Sequence, residues 1–247
     1  MCIAALYDIH GNLPALEAVL QDIDEAGVDQ IVVGGDVFPG PMPLETLTCL
    51  LNLDKPTQFI RGNGDREVLA QMRGEELLTV PESFRNIIRW TAAQLHPGHE
   101  ELLAGWPMTL RVDVAGLGDV VFCHGTPRSD TEIFTRLTPE EGLTSMFEAL
   151  HAPLVTCGHT HMQFDRKIGR VRVVNAGSVG MPFGEPGAYW LMLGPEVELR
   201  FTRSDLTQAV ERIGATNYPQ ARDFAERYVL QPPQEADMLA IYSRVSP

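Results

Sequence analysis

Five short segments of the sequence carry side chains that can bind metal ions, and each segment follows an apolar run. The segments are Asp8-Ile9-His10-Gly11-Asn12, Gly35-Asp36, Gly62-Asn63-Gly64-Asp65, His124-Gly125 and Gly158-His159-Thr160-His161. Four of the seven histidines of the chain lie in them. Carboxylate, imidazole and amide oxygen form a ligand set that suits Mn²⁺, Fe, Zn²⁺, Ni²⁺ or Co²⁺ better than Ca²⁺. Two such ions, about 3.5–4 Å apart, can hold a bridging hydroxide and clamp a phosphate group, which is the chemistry that these residues predict.

The five segments together, rather than any one of them, indicate a site. A single Gly-Asp after a strand is usually a turn, and a single His-Gly usually has no function. Asp8-x-His10 and His159-x-His161 are rarer pairs, and the alternation of an extended chain would place both side chains of each pair on one side. Because every segment occurs at a predicted strand end, we expect the five to converge in space.

The apolar pattern predicts the elements that position these segments. Up to residue 65, short strands alternate with helical stretches, which predicts a largely parallel sheet with function at the carboxyl ends of its strands. Residues 66–106 are predicted to form a helical insertion near the site. Strand-like runs between residues 109 and 202 predict a second sheet built from hairpins. Residues 204–247 are predicted to be a C-terminal helical extension that packs on the chain's own sheets or forms a dimer contact. We therefore expect one domain over residues 1–247.

Composition limits the classes of function. The chain has 247 residues, and 19 Lys and Arg against 33 Asp and Glu give a formal charge of −14. This balance argues against a broad basic surface for nucleic acid, although bound cations would still allow a small phosphorylated substrate. The four cysteines form no C-x-x-C pair, and no apolar run reaches membrane-span length. Because no signal peptide is recognisable, we expect a cytoplasmic protein that does not bind membranes. Whether the chain forms a homo-oligomer is left open by the sequence.

The ordered set DxH, GD, GN-x-D, H and GHTH closely resembles the calcineurin-like metallophosphoesterase superfamily. Within it, the chain is similar to the small bacterial and archaeal single-domain phosphodiesterases, and the similarity extends over residues 1 to about 200. The resemblance implies an α/β (α+β) fold: a four-layer α-β-β-α sandwich of two mixed sheets flanked by helices. The motifs are specific for the fold and the metal centre and do not specify the substrate.

The resemblance also implies a dinuclear metal centre with Mn²⁺ as the favoured ion, and Fe, Zn²⁺, Ni²⁺ or Co²⁺ as alternatives. One ion would be bound by Asp8, His10, Asp36 and His161. The other would be bound by Asp36, Asn63, His124 and His159, with Asp36 bridging. A metal-bound hydroxide, held by Asp36 and both metals, would be the nucleophile.

One position departs from the family pattern. Relatives often have GN-H-D or GN-H-E, whose histidine protonates the leaving group, whereas this chain has Gly64 and therefore lacks the general-acid His. We expect Gly64→His to restore part of that assistance. Asp65, which would orient the missing histidine, is expected to cap the following helix or to pair with Arg66. His96 and His99 are candidates for a replacement acid.

Three residues beside the ligand segments are candidates for substrate binding: Asn12, Arg66 and Arg128. Asn175 and Ser178 are expected to shape the wall below the metals. Cys123, which alternates with His124 along a strand, is expected to lie in the core.

The favoured function is a metal-dependent phosphodiesterase. Alternatives are a phosphomonoesterase, a nucleotide pyrophosphatase or a dinucleoside tetraphosphatase, since relatives with these activities share the same core. A non-enzymatic scaffold and a nuclease are weaker alternatives, because the ligand set is intact and the chain is acidic.

Overall fold

The computed structural model describes residues 1–78 and 80–245. Ten strands lie in these ranges: β1 Ile3–Leu6, β2 Gln30–Val33, β3 Thr57–Phe59, β4 Thr109–Val114, β5 Gly118–Cys123, β6 Leu154–Cys157, β7 Phe164–Ile168, β8 Val171–Asn175, β9 Ala188–Leu193 and β10 Val197–Thr202. The α-helices described are α1 Leu13–Glu25, α2 Pro43–Leu51, α3 Asn63–Met72, α4 Glu82–Gln94, α5 Gly98–Ala104, α6 Thr144–Glu148, α7 Leu206–Gly214, α8 Ala221–Phe224 and α9 Glu235–Tyr242. A π-helix, Ala225–Leu230, continues α8.

The described strands form two sheets of five. The first sheet has the order β10-β9-β1-β2-β3, in which β1, β2 and β3 run parallel. The second has the order β4-β5-β6-β8-β7, in which β5, β6 and β8 run parallel and both edge strands are antiparallel. Both sheets are therefore mixed, and their parallel centres direct several carboxyl ends toward one end of the molecule.

The apolar side chains of the strands bury both faces of each sheet. One cluster joins the sheets through their inner faces, with Ala5 and Val32 from the first sheet and Phe122 and Val174 from the second. A second cluster covers the outer face of the first sheet with α1 to α5, and a third covers the outer face of the second sheet with Phe147 of α6 and its neighbours. Helix, sheet, sheet and helix thus form the predicted four layers.

The expectation that the later strands build only the second sheet is wrong for β9 and β10. Strand β9 pairs antiparallel with β1 and brings β10 into the first sheet. The reason is burial on both faces of β9: Trp190 packs in the cluster under the helices, whereas Leu191 packs between the sheets. A strand that is apolar on both faces is stable beside another buried strand.

The apolar side chains of the described C-terminal segment cluster with α4 and not with the strands. Packing on the sheets was one of the two expected arrangements, and the other, a dimer contact, stays a prediction. Ala209 and Ile213 of α7 contact Phe224 and Val229, and Ile87 of α4 completes this cluster. An ion pair between Arg212 and Glu17 joins α7 to α1. None of the described helices combines the length and the hydropathy that crossing a membrane requires.

Candidate metal centre

The fold brings all seven predicted metal ligands to one end of the two sheets. Asp8 and His10 follow β1, Asp36 follows β2, and Asn63 begins α3 after β3. In the second sheet, His124 follows β5, and His159 and His161 follow β6. Except for Asn63 and His159, which are partly buried, these residues are buried. Parallel strands from both sheets thus position the residues that the sequence separates by long distances.

The side chains form two groups of potential ligands. Asp8, His10 and His161 form one group, and Asp36, His124 and His159 form the other; within each group the ligand atoms lie within 4.8 Å of one another. The Oδ2 atom of Asp36 is 3.7 Å from Nε2 of His10 and 3.4 Å from Nε2 of His124. Asp36 therefore lies between the two groups.

The pairs Asp8-x-His10 and His159-x-His161 do not use the extended alternation that the sequence suggested. Asp8, His10, Asp36, His159 and His161 all have left-handed backbones, with φ between 48° and 65°. The left-handed turns send His159 and His161 into different groups, whereas Asp8 and His10 share one. Such conformations are unfavourable for residues other than glycine and concentrate at functional sites.

Backbone carbonyl groups fix the orientation of three of the imidazole rings. Nδ1 of His10 lies 3.2 Å from the Pro39 oxygen, and Nδ1 of His124 lies 3.0 Å from the Gly34 oxygen. Nδ1 of His161 lies 2.6 Å from the Met181 oxygen. Each carbonyl accepts from Nδ1, so Nε2 is the nitrogen directed toward the carboxylates, as in histidines that bind metals.

Two further features fit a cation at this place. The buried Oδ1 atom of Asp8 has no hydrogen-bond partner among the described residues and is 3.4 Å from Nε2 of His161. The Asn63 amide can donate a hydrogen bond of 3.0 Å to Nδ1 of His159 through its nitrogen. In the opposite orientation of the amide, the Asn63 oxygen faces Nδ1 of His159. Both atoms are then acceptors, and a cation between them would bind to both. The residues therefore fit divalent metal ions.

Close packing of carboxylates and imidazoles shifts their pKa values in opposite directions. Burial favours neutral His124, but Asp36 and Asp8 outweigh it and raise the pKa of His124 to about 10. Burial also favours neutral Asp36, yet His124 and His10 hold the pKa of this carboxyl well below its usual range. Burial and the nearby His124 lower the pKa of His159 to about 4. At neutral pH the site therefore combines an ionised Asp36 with a proton on His124 that a bound cation would replace.

The loops that carry the ligands are held by buried polar side chains. Asp65 accepts hydrogen bonds from the backbone N–H groups of Asp36, Phe38 and Gly62 at 2.8, 3.1 and 2.9 Å. It thus caps α3, as expected, and also holds the loop of Asp36. Burial and the Asp36 carboxylate raise the pKa of Asp65 to about 7, against the effect of these N–H groups.

Asn175 and Ser178 support the ligand loops from below, as the sequence suggested. Asn175 donates to the Gly158 oxygen at 2.6 Å, and Ser178 donates to the Asp8 oxygen at 2.7 Å. Cys123 is buried in the core behind His124 and does not belong to either ligand group.

The three predicted substrate-binding residues have partners within the chain. Asn12 caps α1 by accepting from the Ala15 N–H, and its amide nitrogen donates to the Gly180 oxygen. Arg66 forms two hydrogen bonds with Asp130 rather than pairing with Asp65, and exposed Arg128 pairs with Glu132. None of the three lines the cavity described below. A substrate-binding role for them remains a prediction, and the contacts in the structure are with neighbouring residues.

Gly64 cannot be replaced by histidine in this backbone. A Cβ at this position would lie 2.2 Å from the Phe38 oxygen and 2.9 Å from Cδ of Pro39. The loop after Asp36 occupies the space that a side chain would need and would have to shift, which weighs against the expectation that Gly64→His restores an acid. His96 is exposed and His99 is partly buried; their rings pack against each other, and neither is among the residues that line the cavity.

A cavity of about 340 Å³ opens above the centre. His10, Asp36, Asn63 and Gly64 line its floor. The lining also contains residues that sequence reasoning missed, among them Glu67, one turn after Asn63 on α3, and side chains from α4 and from residues 218–228. The position of Glu67 could have been found from the helical period. No local sequence pattern predicts that the wall residues line the cavity, because only tertiary packing brings α4 and the C-terminal segment over the site.

The family model of the calcineurin-like phosphoesterase superfamily domain matches residues 1–194. The chain belongs to this superfamily. Its members are phosphoester hydrolases that depend on divalent metal ions, and the two ligand groups described above lie within the matched region. The family and the four-layer fold that the motifs predicted are thereby confirmed.

Similar proteins extend the match across most of the chain. The uncharacterized protein MJ0912 of Methanocaldococcus jannaschii is 28% identical over 239 residues, which cover 88% of this chain and 94% of that protein. A metallophosphoesterase from Sphaerobacter thermophilus has a TM-score of 0.71 and 26% identity, with 91% of this chain and 99% of the other covered. The hypothetical protein PH1004 from Pyrococcus horikoshii has the same fold, with a TM-score of 0.77, 21% identity and coverage of 94% and 99%.

Proposed function

We propose that this member of the superfamily is a dinuclear metal-dependent phosphodiesterase. One observation carries the proposal: two groups of metal-binding side chains meet at one cavity, whose floor is lined by His10 from one group and by Asp36, which lies between the groups. Asp8, His10, Asp36 and His161 would hold one ion, and Asp36, Asn63, His124 and His159 would hold the other. When bound, two such ions polarise a phosphoryl oxygen and supply a nucleophile at neutral pH. Mn²⁺ is the ion that we favour for this mixed set of ligands.

The chain's own residues prepare the site in two ways. The ionised Asp36 offers negative charge to both groups, and the carbonyl groups beyond His10, His124 and His161 keep the Nε2 atoms directed inward. Burial of the ligands excludes water from their far sides, which strengthens their electrostatic interaction with a cation. The floor is thus arranged before any substrate enters.

The charges around the cavity favour a diester over a monoester or a pyrophosphate. Outside the metal ligands, the acidic residues Glu67 and Asp223 line the cavity, and Arg227 is the only Lys or Arg among its described lining residues. Burial and Asp36 raise the pKa of Glu67 to about 7, so Glu67 carries part of a negative charge at neutral pH. A phosphodiester carries one negative charge at neutral pH, whereas a phosphomonoester carries up to two and a pyrophosphate more. The less charged anion is repelled less by these carboxylates.

The absence of a side chain at Gly64 adds a preference for good leaving groups. A positioned acid contributes about 10²–10⁴-fold where the leaving group needs a proton. The cavity floor offers no imidazole at this place, so esters of acidic alcohols such as nitrophenol should react faster than simple alkyl esters.

The test is hydrolysis by protein loaded with Mn²⁺, with metal content measured on the same sample. We expect two ions per chain and faster turnover of bis(p-nitrophenyl) phosphate than of p-nitrophenyl phosphate or a dinucleoside tetraphosphate. Asp36→Asn is the matched control, since asparagine tolerates the left-handed backbone but lacks the charge. Protein that holds two ions and hydrolyses none of these substrates would refute an enzymatic function. Preferential cleavage of the tetraphosphate would instead assign the pyrophosphatase class.

A further inference from the structure

The cavity above the metal centre has two walls that lie outside the ligand loops. Phe84, Ile87 and Ile88 of α4 line one wall, and Tyr218, Phe224 and Tyr228 of the C-terminal segment line the other. The second wall follows residue 194, where the family match ends. This wall therefore lies outside the part of the chain that the family model matches.

Both walls present aromatic and aliphatic side chains to the space above the metal ligands. Phe84 is 52% exposed and belongs to no core cluster among the described residues, although it lines the cavity. An exposed phenyl ring contributes little to folding, and at the rim of a binding cavity its apolar face is available to a ligand. Tyr218 is held in place on its far side by Trp90, whose ring contacts it edge-on at 5.3 Å.

The π-helix places further residues at the same opening. Arg227 and Tyr228 belong to it, and both line the cavity. π-helical turns are rare and are frequent at functional sites. Arg227 forms no ion pair within the part of the chain that the structure describes, so its guanidinium can meet an anion or the face of a ring.

We propose that this cavity binds an aromatic group of the substrate, held between the wall of Phe84 and the wall of Tyr218 and Tyr228. The inference rests on the proposed function, because it takes the phosphoester group to lie on the metal floor. A cavity of about 340 Å³ is within the range of small-ligand sites, and apolar walls above a polar floor suit a molecule with a planar ring at one end and a phosphoester at the other. The substrate class is an aryl or heteroaryl phosphodiester.

The experiment compares the binding of two anions that differ only in the ring. Monoethyl phenylphosphonate and monoethyl methylphosphonate carry the same single charge, and their one ester bond has ethoxide as a poor leaving group, so we expect little turnover during a titration. Calorimetric titration of Mn²⁺-loaded protein should give about tenfold tighter binding of the phenyl compound, because burial of the ring removes apolar surface from water. In Phe84→Ala the ratio of the two dissociation constants should fall about fivefold, because the phenyl compound binds more weakly while the methyl compound binds as before.

Leu199→Ala is the matched control, since Leu199 is also exposed, at 47%, but lies on β10 and does not line the cavity. It should keep the full preference for the phenyl compound. Equal binding of the two compounds by the wild type, or an unchanged preference in Phe84→Ala, overturns the aromatic site and leaves the proposed function in place. If neither compound binds and no phosphodiester is hydrolysed, the proposed function fails and the inference with it.

Discussion

Replacing Gly64 by alanine should destabilise the protein, although alanine favours helices. Gly64 lies in the first turn of α3, where helix propensity alone predicts a gain of up to about 1 kcal/mol. The added Cβ would lie 2.2 Å from the Phe38 oxygen, which is far inside contact distance. The Phe38 backbone cannot move freely, because its N–H donates to Asp65, which also holds Asp36.

The magnitude follows from these opposing effects. Relief of the contact needs a backbone shift of about 1 Å, and overpacking of this kind costs about 1–3 kcal/mol. After subtraction of a helix gain of about 1 kcal/mol, we expect the free energy of unfolding to fall by up to about 2 kcal/mol. Since the shift would move the loop that carries Asp36, the affinity for Mn²⁺ should fall as well. Gly64→His would add the same contact and should not increase hydrolysis.

Urea unfolding in EDTA, followed by circular dichroism, measures the first effect, and calorimetric titration with Mn²⁺ measures the second. Gly98→Ala is the control: Gly98 begins α5, and nothing lies within 4 Å of its added Cβ. This variant should be as stable as wild type or up to about 1 kcal/mol more stable. If Gly64→Ala matches Gly98→Ala in stability and keeps wild-type Mn²⁺ affinity, the reasoning is refuted.

Three further outcomes test the metal centre. Because His124 has a pKa of about 10, it is protonated in metal-free protein at pH 7. Binding of Mn²⁺ should therefore release about one proton, and the apparent affinity for Mn²⁺ should rise up to about tenfold per pH unit between pH 7 and 9. Calorimetry in buffers of different ionisation enthalpy measures the number of protons released, and a release of zero would contradict the prediction. In Asp36→Asn, elemental analysis should find both ions depleted, and retention of one full equivalent would show that Asp36 does not serve both. Asp65→Asn should lower the free energy of unfolding by about 2–4 kcal/mol, because an amide cannot accept all three backbone N–H groups; wild-type resistance to urea would contradict that role.

The sequence contained enough information to predict the residues of the centre but not their conformation. Asp8, His10 and the others were recognisable because few residue types bind metals and because all follow strands. Their left-handed backbones were missed, since a pattern of alternating residues suggests an extended chain. The left-handed turns form where the loops after β1 and β2 pair with each other, for example through the His10 N–H and the Asp36 oxygen at 3.0 Å. That pairing is a long-range contact that no local pattern reveals.

The surroundings of the centre were harder to predict for the same reason. The basic residues Arg66 and Arg128 are close to ligands along the chain, but Asp130 and Glu132 are nearer to them in space. The pairing of Arg128 with Glu132, four positions away, could have been anticipated. The placement of β9 and β10 in the first sheet, and of Tyr218 above the metal ligands, depends on tertiary packing between distant segments.

The five left-handed ligands have a consequence for backbone stability. A left-handed backbone costs roughly 1–2 kcal/mol at residues other than glycine, so Asp8, His10, Asp36, His159 and His161 together oppose folding by about 5 kcal/mol or more. That sum is comparable to the whole net stability of a typical domain, about 5–15 kcal/mol. Glycine at one of these positions would relax the backbone but would remove a potential metal ligand. Backbone stability alone would therefore favour glycine, and the side chains found at these five positions are explained by metal binding rather than by backbone preference.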